Sequence, residues 1–258
     1  MATVGAHKLN TITWLDLAAA DLDAALAFYC DVLDVRSSND GETPYYMLMV
    51  GDQPVAGVMA LGPEMADAGM PPVWSTYVSV ASAADAVATC KAAGGSVFRA
   101  PFEIPGGGVI AVIADPAGAA ICIFEGGLEM GFKAFDEPGA ACWFETMSRN
   151  ADAADTFYNK LFGWNSTPME GMPYRVFDLD GQPVAGMMAM DERFPPQIPS
   201  HWAVSFCVAD TDTSVERAIT NGATLVMPPT DTPYGRAAGL VDPWGAGFNI
   251  IERATASL

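Results

Sequence analysis

The chain repeats itself, and the repeat decides most of what it can fold into. Trp14 aligns with Trp143, Phe28-Tyr29 with Phe157-Tyr158, and Pro44-Tyr45 with Pro173-Tyr174, all at an offset of 129 residues. Gln53-Pro-Val-Ala-Gly57 returns as Gln182-Pro-Val-Ala-Gly186 at the same offset. The offset falls to 128 at Trp74/Trp202 and to 127 at Asp115-Pro116/Asp242-Pro243, so two single-residue deletions account for the whole register. A duplication of this length implies two tandem copies of one unit, and 258 residues leave room for both.

Each half reads as a strand, a helix and then further strands, and does so twice. In the first half, residues 11–17 alternate in polarity and stop at Asp21, a helix N-cap. Leu22, Leu26, Tyr29 and Leu33 follow at helical spacing, and Asn150 holds the cap position in the copy. Residues 45–50 and 55–61 read as strands joined by Gly51-Asp52, answered by Asp180-Gly181, both suited to hairpin turns. A Pro-rich connector comes next (62–72; 191–200). Strand 75–80 follows, then an N-cap at Ser82 or Asp210, a helix, and a glycine stop at Gly94 or Gly222. Closing strands run on to Phe124-Glu125 and Ile251-Glu252. The expected class is α+β, with four βαβββ modules. Two lie in residues 1–126 and two in 142–258, joined by a linker at 127–141 rich in Gly, acid and Pro.

Charge and cysteine usage narrow the partners. A net charge of −19 repels nucleic-acid phosphate and anionic lipid, so neither is an expected partner. The five cysteines (Cys30, Cys90, Cys122, Cys142, Cys207) are odd in number and show no C-x-x-C pair. That is the pattern of small core residues in a reducing compartment, not of a disulfide framework or a zinc cluster. No apolar stretch reaches the length of a signal-peptide core at the start or of a membrane span anywhere. A cytoplasmic monomer or homodimer is expected.

At this point the sequence resembles the vicinal-oxygen-chelate superfamily, which includes glyoxalase I, bleomycin-resistance proteins and extradiol dioxygenases. The resemblance rests on the strand–Asp–Leu–helix–Phe-Tyr segments (14–35 and 143–164) and the helix–Gly-Gly exit at 92–96. It rests also on the closing runs, Gly235 to Glu252 and its partner ending at Asp115 to Glu125. It covers nearly the whole chain. It implies paired βαβββ modules, as glyoxalase/bleomycin-resistance-like domains whose mixed sheets curl into a half-barrel around a cavity.

Enzymes of this family hold a divalent ion with His and Glu side chains on the first and last strands of the modules. The corresponding first-strand position falls on Trp14 and Trp143, and the opening position of the second module on Ser75 and Ala203. The last-strand position falls on Cys122 and Asn249, and the remaining one near Gly57 and Gly186. None keeps a family ligand, and an indole N–H can only donate. The chain has two histidines, His7 and His201, and His7 lies ahead of the first strand. The inherited metal site is expected to be absent, and no cofactor and no divalent metal are expected.

Strand alternation puts Asp16 on the face of Trp14, and Glu145 on the face of Trp143. Ser75 and Tyr77, or Ala203 and Ser205, are expected opposite. Tyr45, Tyr174 and Arg175 would form the other wall, Cys122 and Asn249 would complete it, and His201 would stand at the rim. Pro105-Gly-Gly-Gly108 lacks phosphate-loop spacing and reads as a glycine-rich hairpin, with Tyr234-Gly-Arg236 as its counterpart. Methionines concentrate in the repeated strands of each half (Met47, Met49 and Met59; Met187, Met188 and Met190) and read as adaptable core filling.

A cavity walled by tryptophan and tyrosine suits a flat, partly apolar ligand. The leading expectation is metal-free binding of a hydrophobic, aromatic small molecule, in a sequestration or resistance role. The alternative is a glyoxalase-like enzyme, a lyase, isomerase or hydroxylase. It would use Asp16 or Glu145 as acid or base, or a metal relocated to His201.

Overall fold

The computed structural model describes residues 4–67 and 69–254. The first half contains β1 (Ile12–Ala19), α1 (Leu22–Leu33), β2 (Arg36–Ser38), β3 (Tyr45–Val50), β4 (Gln53–Ala60), α2 (Pro63–Asp67), β5 (Val73–Ser79), α3 (Ala83–Ala92), β6 (Ser96–Glu103), β7 (Val109–Ala114) and β8 (Ala120–Glu125). The second contains β9 (Ala141–Ser148), α4 (Ala151–Phe162), β10 (Asn165–Pro168), β11 (Tyr174–Leu179), β12 (Gln182–Ala189), β13 (His201–Cys207), α5 (Thr211–Thr220), β14 (Thr224–Thr232), β15 (Gly235–Val241) and β16 (Gly247–Arg253).

Local chemistry sets the helix ends. All four expected caps accept a hydrogen bond from the backbone three residues on, Asp21 from Ala24, Ser82 from Asp85, Asn150 from Ala153 and Asp210 from Thr213. Each cap satisfies a donor that the helix itself cannot, worth about 1 kcal/mol. The closing glutamates add to this. Glu125 accepts from Ala83 N at 2.8 Å and Glu252 from Thr211 N at 3.4 Å, tying the last strand of each half to the start of its second helix. The short helix α2 was not expected in the Pro-rich connector. Pro63 at its first position explains it, since a fixed φ and a missing N–H cost nothing there.

Each half is one eight-stranded mixed sheet, ordered β2-β3-β4-β1-β5-β8-β7-β6 and, identically, β10-β11-β12-β9-β13-β16-β15-β14. The two modules of a half join through an antiparallel pair, β1 with β5 and β9 with β13. Modules therefore pair within a half. The halves meet through their helix-bearing faces, with α1 against α5 and α3 against α4. Leu15, Leu17, Trp74, Phe144, Trp202 and Phe206 belong to one continuous core built from both sheets. Trp74 and Phe206 touch across the boundary with ring centroids 5.0 Å apart.

The repeated motifs cross over. Tyr29 Oη donates to Asp242 Oδ2 at 3.0 Å and Tyr158 Oη to Asp115 Oδ2 at 3.2 Å, so each Phe-Tyr helix reaches the other half's Asp-Pro turn. Trp74 and Trp202 donate their indole N–H to these same phenols. Residues 127–141 are packed as well: Phe132 and Ala134 are buried, and the amides of Phe132 and Lys133 donate to the carbonyls of Thr13 and Pro54.

Candidate functional site

With the helix-bearing faces joined, the opposite, concave face of each sheet is left to its own half. In the first half, register places Trp14 beside Tyr77, Tyr77 beside Cys122, and Asp16 between Gly57 and Ser75. Trp14 Nε1 donates to Tyr45 Oη at 2.7 Å; Tyr45 and Tyr77 then donate to Asp16 Oδ2 at 3.3 and 3.0 Å. Asp16 Oδ1 is buried with no hydrogen-bond partner. Burial pushes the Asp16 carboxyl up to about 7, against the downward pull of the bonds from Tyr77 and Tyr45. Burial and the neighbouring Asp16 push the Cys122 thiol up to about 12. Tyr77, Cys122 and Phe124 form their own buried cluster on this face, with Trp14, Ile104, Ile110 and Val112 packed around it. This half fills its own cavity.

The second half repeats the frame with different side chains around it. Trp143 Nε1 donates to Tyr174 Oη at 2.7 Å, and the Tyr174 hydroxyl in turn bonds Glu145, whose carboxyl burial holds above its ordinary range. The residues standing where the first half has Tyr77, Cys122 and Phe124 are Ser205, Asn249 and Ile251, and all three are half-exposed. Beside Tyr174, a groove of about 410 Å³ is lined by Gly171, Met172, Pro173, Met188, Arg193 and Phe194. A smaller cavity of about 230 Å³ adjoins it, with Tyr174, Arg175 and Met172 among its lining residues.

The fold thus brings Trp14, Asp16, Tyr45, Ser75, Tyr77 and Cys122 onto one face. It brings Trp143, Glu145, Tyr174, Ala203, Ser205 and Asn249 onto the other. Arg175 departs from the expected wall. It follows Tyr174 directly, so alternation turns it to the helix side, where it pairs with Asp152 and, at 2.8 Å, with Asp155 on α4. His201 starts β13, and its Nδ1 is 2.8 Å from the Pro199 carbonyl. It belongs to no group of three close ligand-type side chains among the described residues. Arg236 pairs with Asp212 and Asp231 at the surface. Of the methionines, Met187 and Met190 are buried while Met188 lines the groove. Sequence reasoning missed the groove wall from Gly171 to Pro173 and Phe194, because these loop residues carry no periodic signal.

The donor set does not fit the family's divalent ion. Where a ligand side chain would project from β4 or β12 stand Gly57 and Gly186. A β-carbon at either would collide with the hydroxyl of Tyr45 or Tyr174. The phenol occupies the space in front of the strand, and the indole that bonds it offers a donor only.

Residues 11–123 match the model of the Glyoxalase/Bleomycin resistance protein/Dioxygenase superfamily, and residues 143–251 match that of a glyoxalase-like domain. The chain is 32% identical over 256 residues to the “Putative glyoxylase CFP32” of Mycobacterium tuberculosis, covering 96% of this chain and 97% of that one. It is also 32% identical over 254 residues to the anthracycline biosynthesis protein DnrV of Streptomyces peucetius, covering 93% and 92%. Among solved structures, the Mn(II)-bound glyoxalase from Novosphingobium aromaticivorans shares the fold, with a TM-score of 0.62 at 15% identity over 97% of this chain and 85% of that one. With the repeated modules, the sheet order and these matches together, the chain belongs to the glyoxalase/bleomycin resistance protein/dioxygenase superfamily.

Proposed function

We propose that the second half is the binding half, and that its concave face takes a flat, partly apolar aromatic molecule without help from a divalent ion at the inherited position. One observation carries this reading: the same Trp–Tyr–carboxylate frame is flanked by buried Tyr77, Cys122 and Phe124 in one half and by half-exposed Ser205, Asn249 and Ile251 in the other. The groove of about 410 Å³ beside Tyr174, lined by Met172, Met188, Phe194 and Arg193, would extend the contact surface at the rim. The resemblance to a protein named for anthracycline biosynthesis points to fused aromatic rings as the class. Titration with an anthracycline, read by tryptophan fluorescence and calorimetry, tests the proposal. Trp143→Ala is expected to weaken binding roughly 10-fold or more, in line with loss of an aromatic contact at a binding centre. Trp14→Ala should leave it unchanged, and chelator treatment should not abolish it. Equal losses from both variants would overturn the assignment to one half.

A second reading is favoured by Glu145 itself. A carboxyl raised by burial and bonded by a phenol is suited to move a proton. A glyoxalase-like lyase, isomerase or hydroxylase would use it as acid or base. Glu145→Gln that binds normally but loses turnover supports the enzyme; a variant with unchanged turnover rules it out.

A further inference from the structure

Cys142 lies near the start of β9 and Cys207 ends β13, adjacent antiparallel strands whose register shifts at this end. The irregularity brings two buried thiols together beside a carboxylate. Asp136, in the left-handed region at φ 59, turns its Oδ1 to within 3.6 Å of Cys207 Sγ. The two sulfurs and a carboxylate oxygen all lie within 4.8 Å of one another. Arg253 donates from Nε to the same Oδ1 at 2.6 Å, and its Nη2 lies 3.4 Å from the Cys142 carbonyl.

Simple core filling explains two small thiols, but not a carboxylate and a guanidinium held against them. The first half supplies the comparison. At the offsets that align the two Trp strands and the two β5-type strands, the corresponding residues are His7, Thr13 and Ser79. His7 is committed to the Phe132 carbonyl and Ser79 to that of Lys8. The same backbone therefore closes without sulfur or carboxylate, and the cluster belongs to the second half alone.

We propose that Cys142, Cys207 and Asp136 form a site for a thiophilic divalent ion of the zinc type, separate from the aromatic pocket. A tetrahedral zinc ion with bonds of about 2.3 Å to sulfur and 2.0–2.2 Å to oxygen sets its ligands roughly 3.5–3.8 Å apart. The Sγ–Oδ1 separation of 3.6 Å already matches that edge. The charges also close. Two thiolates and a carboxylate carry three negative charges; the ion and Arg253 carry three positive. A neutral cluster avoids the cost of burying unpaired charge, and Arg253 takes the outer position that commonly orients a metal-binding carboxylate. The side chains of Asp136 and Arg253 are half-exposed, which gives an entering ion a path and a fourth ligand, water. Binding displaces both thiol protons to solvent, so two protons leave for each ion bound.

Cadmium titration of the chelator-treated full chain tests this, read by the ultraviolet thiolate-to-cadmium charge-transfer band and by proton release. One equivalent is expected to saturate the band, with zinc competing it away. Cys142→Ser with Cys207→Ser should abolish it. Asp136→Asn keeps a residue that tolerates the left-handed backbone and should weaken binding while preserving the fold. Arg253→Gln should weaken it roughly 10–100-fold. No band in the unmodified chain at equimolar cadmium overturns the proposal. So does a band retained in the double variant, which would assign it to Cys30, Cys90 or Cys122.

Discussion

Asp16 shows how a single residue can be fixed in place by sequence and changed in character by burial. Alternation alone put it on the face of Trp14; nothing in the string showed that Tyr45 and Tyr77 would close over it. Its carboxyl titrates near 7 when folded and near about 3.9 when unfolded, so folding takes up a proton between these values. The Asp16 contribution to stability is therefore complete below about pH 4 and is lost as pH rises through about 7. The differential is on the order of 4 kcal/mol at most. Urea midpoints measured from pH 4 to 8 should fall less steeply with pH for Asp16→Asn than for the unmodified chain; parallel profiles would show that the carboxyl is not buried as described. Gly186 makes the complementary test. Gly186→Ala forces the Tyr174 phenol aside and breaks its bond from Trp143. We expect a stability loss of about 1–3 kcal/mol, typical of overpacking, together with weaker ligand binding, measured by denaturation and calorimetry.

At the scale of elements, the sequence was most legible where periodicity and caps act locally. The helices after Asp21, Ser82, Asn150 and Asp210 begin where their caps said, and residues 45–50 form the expected strand. Arg175 lines the smaller cavity but turns its guanidinium to Asp152 and Asp155 on α4, as its place next to Tyr174 in an alternating strand requires. The Phe-Tyr and Asp-Pro motifs were visible as repeats, but their meeting was not, since the partners lie in different halves. Tyr29→Phe and Tyr158→Phe should each cost about 1–3 kcal/mol, because each leaves a buried aspartate short of a donor and an indole N–H short of its acceptor. A double-mutant cycle of Tyr29→Phe with Asp242→Asn should show coupling. Strict additivity would mean the bond contributes nothing to joining the halves.

For the whole molecule, the continuous core matters more than the boundary between repeats. Trp74 and Phe206 meet across the boundary, and Tyr29 and Tyr158 each bond the other half's Asp-Pro turn. Either half expressed alone is expected to self-associate or lose cooperative unfolding, as sedimentation and thermal melts would reveal; a stable monomeric half would contradict the shared core. No helix among the described residues is long and apolar enough to cross a membrane. The sequence by itself determined the duplication, the α+β modules and the family, because each is written in local pattern or in register between copies. Only the tertiary structure decided that modules pair within a half and that the side chains buried together on one concave face have half-exposed counterparts on its twin. It alone brought Cys142 and Cys207 to one carboxylate. These depend on which side chains meet across strands far apart in the chain, and periodicity along one strand carries no information about that.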